Sequence, residues 1–218
     1  MILFPPWYGE LGWEVMVWAP RCRLQADGRA CTVTSFVGMD ALYGDFATFC
    51  SHDRVSRNDG EFPVAYRSPT LHKRYGNPNK RCSVLIHARG ITRKRHYNYT
   101  RWAELSRDLP ESCAVIGSKD DAAIATCEDL RGLPLQDLMD IIAGARVVVG
   151  VSSGVMHLAA ACGTDVVAWG YSKTHFGETL EKRYKETWNP HGVRVEWITA
   201  EDWQPEPRRI TKAIERML

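Results

Sequence analysis

The chain has 218 residues, a net charge of +2 and 44% hydrophobic residues, the balance of a soluble globular protein with material for a core in one or two compact domains. No run of 18 apolar residues occurs, so a transmembrane helix is excluded on pattern, and MILFPPWYGE lacks the basic n-region and long apolar stretch of a signal peptide. The seven cysteines form no CxxC pair and no Cys/His cluster at ligand spacing, so we expect reduced thiols in a cytoplasmic protein, with no metal site and no cofactor.

The pattern alternates β and α along the chain. A strand at Ile2–Phe4 runs through Pro5-Pro6-Trp7-Tyr8-Gly9 into a helix from Leu11 to Gln25. In the loop YGELGWE, Gly9 and Gly12 permit close backbone approach, and Glu10 and Glu14 lie one helical turn apart. A carboxylate there fits a general base for a hydroxyl nucleophile; it equally fits a first-turn glutamate favoured by the helix dipole. Strand Cys31–Phe36 and a helix from Asp40 to Phe49 follow.

Residues 67–81, RSPTLHKRYGNPNKR, are rich in Pro, Gly, Asn and cations and read as an interdomain connection. They open a stretch from Arg67 to Trp102 that holds ten Lys or Arg and no acid, leaving 18 basic against 26 acidic residues elsewhere. Such a focused block predicts an anionic ligand, or else a solvated basic face. Strand Ser83–His87 leads into HARGITRKRHYNYTRW. There Arg89, Arg93, Lys94 and Arg95 suit a diphosphate, while Tyr97, Tyr99 and Trp102 suit stacking on nucleic-acid bases. His87 is either part of this site or a satisfied core histidine.

A helix over Thr100–Leu109, a strand Ala114–Gly117, a helix Asp120–Cys127, a loop Asp129–Gly132 and a helix Pro134–Ala143 continue the series. Strand Val147–Val149 then runs through Gly150-Val151-Ser152-Ser153-Gly154 into a helix Val155–Cys162, followed by strand Val166–Trp169. This βαβ unit presents backbone N–H groups at a helix N-terminus, with Ser152, Ser153 and His157 as side-chain donors. The plainer reading is a serine N-cap on a core helix. A strand Val193–Trp197 and a helix Glu206–Leu218 close the chain. Two alternating series joined by a linker predict two Rossmann-like parallel-sheet halves facing across a cleft, the ligand lying at the carboxyl ends of the strands.

Several motifs recur together in the second half: His87-x-x-Gly90 after a strand, Trp102-x-x-Leu105 on a basic-aromatic helix, Val115–Gly117, LRGLPLQDLMDII, and GVSSGVMHLAAACG. From Val84 to Gly170 this pattern resembles the C-terminal domain of the heptosyltransferase family, within the GT-B glycosyltransferases. The resemblance implies a GT-B-like α/β fold with a truncated N-terminal half. It divides the chain into a small acceptor-side domain (1–78), a nucleotide-sugar-binding domain (79–205) and a C-terminal helix (206–218) packing back on the first. It implies transfer of a sugar from a nucleotide-diphosphate donor to an acceptor hydroxyl, with inversion; the sequence shows no Asp-x-Asp metal motif, so the cations of the chain are expected to take the place of a metal. The loop before HLAAA carries donor contacts onto Ser152, Ser153, Gly154, Met156 and His157, and the phosphate-binding lysine falls near Arg95.

The family's N-terminal motif, whose acid is the base, matches Gly9–Pro20, with Glu14 at the acid position counted back from Pro20 and Glu10 competing. Gly12 joins the donor loop, and Trp7, Tyr8 and Trp13 stand on the acceptor side. Ser152 stands where relatives carry Asp. His-Ala-Arg-Gly is also similar to the His-x-Arg element of GT-B fucosyltransferases, which keeps a GDP sugar open. The acceptor is a glycan or, given the basic block, a modified base in DNA. A nucleotide-sugar epimerase and a non-catalytic sugar-nucleotide or nucleic-acid binding protein are the other readings.

Overall fold

The computed structural model describes residues 1–53, 70–79, 82–90, 98–109, 113–175 and 177–218. The chain divides into two compact units, Met1–Lys73 and Arg74–Leu218.

The first unit holds a three-stranded parallel sheet, β1 (Ile2–Leu3), β2 (Cys31–Phe36) and β3 (Thr48–His52), in the order β1-β2-β3. In β2 buried and half-buried residues alternate strictly, as a strand with one face on a core requires. Between β1 and β2 the chain is helical, α1 (Leu11–Trp13) continuing through a π-helical turn, Glu14–Trp18, into α2 (Ala19–Ala26). The wide turn has a sequence cause. Pro20 has no N–H to give and its ring crowds the carbonyl one turn earlier, so the turn opens and the Ala19 N–H reaches back to the Glu14 carbonyl. The helix expected over Asp40–Phe49 is instead a short 3-10 turn, Asp40–Leu42, followed by β3. Gly44 interrupts the helical pattern, and Thr48 and Phe49 take the strand beside β2.

The second unit is built on six parallel strands: β4 (Val84–His87), β5 (Cys113–Gly117), β6 (Glu128–Arg131), β7 (Val147–Val151), β8 (Asp165–Gly170) and β11 (Val195–Thr199). Their order is β11-β8-β7-β4-β5-β6. The first strand is central, the next two run outward on one side, and the rest run outward on the other. This is the doubly wound order of a dinucleotide-binding fold, with its switch point between β4 and β7. The two strands flanking the switch, VLIH and VVVGV, are buried along their whole length, which explains their lack of alternation.

Helices α3 (Trp102–Arg107), α4 (Leu135–Gly144), α5 (Gly154–Cys162) and α7 (Pro207–Glu215) cover the sheet. The buried residues Ile210, Ala213 and Ile214 of α7 join the core of this same unit. A small hairpin, β9 (Thr174–His175) with β10 (Glu178–Thr179), leads into α6 (Leu180–Lys182) and a π-helical turn at Arg183–Thr187, a region the sequence pattern left unassigned.

Two further expectations are corrected. Residues 120–127 contain no helix: Asp121 is drawn into a turn by Ser118, and where a loop is expected over Asp129–Gly132, Glu128–Arg131 pairs with β5 as the edge strand β6. Cys113 and Cys127, expected as reduced thiols, are joined by a disulfide between the start of β5 and the residue before β6. Spacing gave no hint of it, since only the pairing of β5 with β6 brings the two residues together. Among the described residues no helix is long and apolar enough to cross a membrane.

Candidate active site

The carboxyl ends of β4 and β7 bring His87 and Ser153 together. His87 Nδ1 is hydrogen-bonded to Ser153 Oγ at 2.9 Å. Ser153 is the N-cap of α5, in extended backbone, and its hydroxyl makes no cap bond. The plain N-cap reading of the serine therefore fails: its oxygen is turned across the switch point toward His87, and the first N–H groups of α5 keep no side-chain acceptor from it.

His87 is 5% exposed, and its other ring nitrogen faces a carboxylate, with Nε2 3.4 Å from Asp121 Oδ2. Asp121 is held in turn by the Gly90 N–H on Oδ1 and the Ser118 N–H on Oδ2, each at 2.7 Å. Burial pushes this carboxyl up, but the His87 contact and the two backbone donors outweigh it and hold it well below the ordinary carboxylate range. Gly117 makes the meeting possible. Its φ of +127° is one that favours glycine, and a Cβ there would collide with the Asp121 carboxylate and approach His87 Cδ2 to 2.9 Å.

Behind the serines stands Tyr184. The Ser153 N–H donates to its hydroxyl at 3.1 Å, and that hydroxyl lies 3.2 Å from Ser152 Oγ. Burial pushes the phenol up to about 12, so it remains a neutral donor. His157 stacks on Tyr184 at 4.3 Å, with Trp188 edge-on at 4.5 Å. Burial and the nearby Arg183 push the His157 imidazole down, so it is neutral, and its Nδ1 has no hydrogen-bond partner. Arg183 is itself buried against Glu178, whose second oxygen accepts from Thr187. This layer fixes the floor of the loop. Met156 belongs to it too, its Sδ lying where a side chain on Gly150 would be.

Arg89 places a guanidinium beside the same loop, 3.4 Å from the Ser152 carbonyl. Other cations of the basic stretch do structural work. Arg74 donates to the Cys162 and Gly163 carbonyls at the C-terminus of α5, and Arg101 pairs with Glu104 and Glu206. Arg93, Lys94 and Arg95, with Tyr97, lie outside the described residues. Tyr99 and Trp102, read as stackers for nucleic-acid bases, are 2% and 6% exposed and pack on Trp169 in the core. They are unavailable to bases.

In the first unit Glu14 is 1% exposed, and its Oε1 accepts from the Ser35 hydroxyl and, at 2.7 Å, from the Tyr43 hydroxyl. Burial lifts this carboxyl to about 7, against the lowering effect of both hydroxyls. Glu10 is half-buried at the N-terminus of α1. Gly12 is buried within α1. Trp7 is buried and stacked on Trp18, Trp13 is buried in α1, and half-buried Tyr8 lies against the His52 ring.

Asp121 and Tyr184 were not legible as site residues. Asp121 follows a Gly-Ser turn, a weak signal at best, and Tyr184 reaches the loop from 31 residues downstream. Among the described residues no group of three or more His, Cys, Asp or Glu is placed to hold a metal ion.

Residues 67–206 match the model of glycosyltransferase family 9 (heptosyltransferase). The chain belongs to glycosyltransferase family 9. As a member of that family it is a nucleotide-sugar-dependent glycosyltransferase, and the switch-point loops of β4 and β7 fall within the matched region. Solved structures agree on the fold. The chain is similar to E. coli ADP-heptose LPS heptosyltransferase II, with a TM-score of 0.65 and 14% identity over 100% of this chain and 98% of that one. It is also similar to the iron-containing dodecameric glycosyltransferase TibC of enterotoxigenic E. coli H10407, with a TM-score of 0.64 and 16% identity over 99% of this chain and 77% of that one. A family 9 glycosyltransferase from Veillonella parvula DSM 2008 matches at a TM-score of 0.51 and 12% identity, over 89% and 69% of the two chains. No curated protein sequence matches. The GT-B-like α/β architecture expected from the sequence is thereby established.

Proposed function

We propose that this family 9 member transfers a sugar from a nucleoside-diphosphate donor to a hydroxyl of a glycan acceptor, with inversion and without a metal ion. The observation that carries the proposal is the His87–Ser153 hydrogen bond at the switch point, which turns the serine away from its own helix and leaves a polar rim where a diphosphate would lie. Ser152, Ser153, Gly154 and Arg89 are the donor-binding residues; Met156 and His157 act from beneath, through packing. The cationic Arg89 and the start of α5 offset the charge that develops on the departing diphosphate.

Glu14 is the proposed base. A carboxyl near 7 is poised between its two forms at neutral pH, and Ser35 and Tyr43, both on Oε1, fix its plane. The remaining oxygen, Oε2, is assigned to the acceptor hydroxyl. It takes the proton as the acceptor oxygen forms its bond to the anomeric carbon, and the bond from that carbon to the diphosphate breaks on the opposite face. Tyr8, half-buried at the loop, is the acceptor-side contact, and Trp7 and Trp13, buried as Glu14 is, belong to the same unit.

ADP-heptose, the donor in the name of heptosyltransferase II, is the first sugar nucleotide to test. Transfer is measured with Glu14→Gln and Glu10→Gln in the presence and absence of EDTA. We expect Glu14→Gln to lose turnover while binding donor, Glu10→Gln to retain both, and EDTA to change nothing. Full turnover by Glu14→Gln removes it as the base, and a loss on chelation restored by a divalent ion removes the metal-free part.

A further inference from the structure

The line Asp121–His87–Ser153 has an order that matters for an anion. A carboxylate faces one imidazole nitrogen, and the other meets a hydroxyl that ends at the loop (Asp121 Oδ2 to Nε2, 3.4 Å; Nδ1 to Ser153 Oγ, 2.9 Å). With a neutral ring carrying its proton toward Asp121, Nδ1 can only accept, so the Ser153 hydroxyl spends its one proton on His87 and turns lone pairs toward the loop. With both nitrogens protonated, Nδ1 donates to Ser153, and the serine proton is released for an oxygen of the ligand.

We infer that Asp121, His87 and Ser153 form a proton-linked anion receptor, in which His87 takes up one proton from solvent when a diphosphate binds and Asp121 is the positioning residue that holds the resulting imidazolium. The bound state then reads as a chain of donors from Asp121 outward: carboxylate, imidazolium, serine hydroxyl, phosphate oxygen. Each link is charge-assisted at an end, and none is left unpaired in a nearly buried place. Asp121 is fixed as an anion by the Gly90 and Ser118 N–H groups.

Among the described residues, the other charged or titratable groups around His87 do not duplicate this part. Arg89 lies beside Ser152, Tyr184 is a neutral phenol behind Ser153, and Arg131 reaches the Asp121 backbone carbonyl while paired with Asp129, which also has Lys119 nearby. On β5, Gly117 offers no side chain at all. The inference rests on the donor reading above and adds the proton to it.

The test is calorimetric titration of the full chain with ADP, UDP and GDP between pH 5.5 and 8.5, in buffers of different ionisation enthalpy, for wild type, Asp121→Asn and His87→Gln. The ligand's own phosphate titrates alike in all three, so the difference between proteins reports His87. Wild type is expected to take up a proton in excess of His87→Gln and to lose affinity as pH rises, by up to about tenfold per pH unit, the limit for one linked proton. Asp121→Asn should lose most of that dependence and bind at least about tenfold more weakly at pH 6.

If the aspartate variant does not fold, His87→Gln and imidazole 15N shifts of wild type with and without ligand carry the test alone. In those shifts the proton appears as a change from neutral to doubly protonated His87. Binding with no excess proton uptake over His87→Gln overturns the inference and leaves the donor site standing. Failure of all three nucleotides to bind overturns the donor reading, and the inference with it.

Discussion

Ser153 and His87 lie 66 residues apart and share a 2.9 Å hydrogen bond across the switch point of the six-stranded sheet. Neither residue is special alone. Together they convert a helix start into a loop with an oriented hydroxyl, backed by Tyr184 and by the Asp121 carboxylate. The predictions that follow separate the members of this arrangement.

Gly117 should be intolerant of any side chain. Its positive φ strains an alanine, and the added Cβ lands on Asp121 and beside His87. Gly117→Ala is expected to destabilise the fold by about 1–3 kcal/mol and to weaken nucleotide binding by more than tenfold. Denaturant unfolding and calorimetry check the two effects; unchanged nucleotide affinity would show that the Asp121–His87 contact is dispensable.

Tyr184→Phe removes the hydroxyl that accepts from the Ser153 N–H and meets Ser152. The stacking on His157 survives, so the loss is confined to hydrogen bonds. Leaving a part-buried N–H unpaired costs about 1–3 kcal/mol. We expect a folded protein with a lower Tm and several-fold weaker donor binding. A variant with wild-type Tm and affinity would assign Tyr184 to packing alone.

Much of this was readable in advance, and the reasons differ by element. The central strands announced themselves because parallel strands covered on both faces are uninterrupted apolar runs, as in RVVVGV. The serine turn was legible because its Gly-Ser-Gly chemistry directly follows such a run. What failed depended on distance. The edge strand Glu128–Arg131 is polar and half-exposed, so only pairing with β5 defines it. Asp121 was masked by the helical look of DDAAIATC, and Tyr184 and the Cys113–Cys127 bond are set by the tertiary fold. The basic stretch misled in part. Charge counting cannot tell Arg89, which reaches the loop, from Arg74, which caps the far end of α5.

Glu14 gives a pH signature in stability as well as in rate. Its carboxyl is raised from 4.5 to about 7 in the folded protein by burial. The folded state therefore binds the proton more tightly than the unfolded one, so this group's contribution is fully present below about 4.5 and is lost as pH rises through about 7. The size is about 3 kcal/mol at most. Urea unfolding of wild type and Glu14→Gln at pH 5 and pH 8 should show wild type losing stability between them relative to the variant. Turnover should rise over the same window as the base ionises. Parallel stability curves for the two proteins would mean that Glu14 is not the group that titrates.

The central claim is that a sugar nucleotide binds through its diphosphate at the carboxyl ends of β4 and β7. Its most direct test is the dissociation constant of ADP, UDP and GDP for wild type and for Ser153→Ala at pH 6.5. Ser153→Ala deletes the hydroxyl that joins His87 to the loop and leaves the fold and Arg89 in place. The account predicts that at least one nucleotide binds wild type and binds Ser153→Ala about tenfold or more weakly. Equal affinity for the two proteins would contradict it.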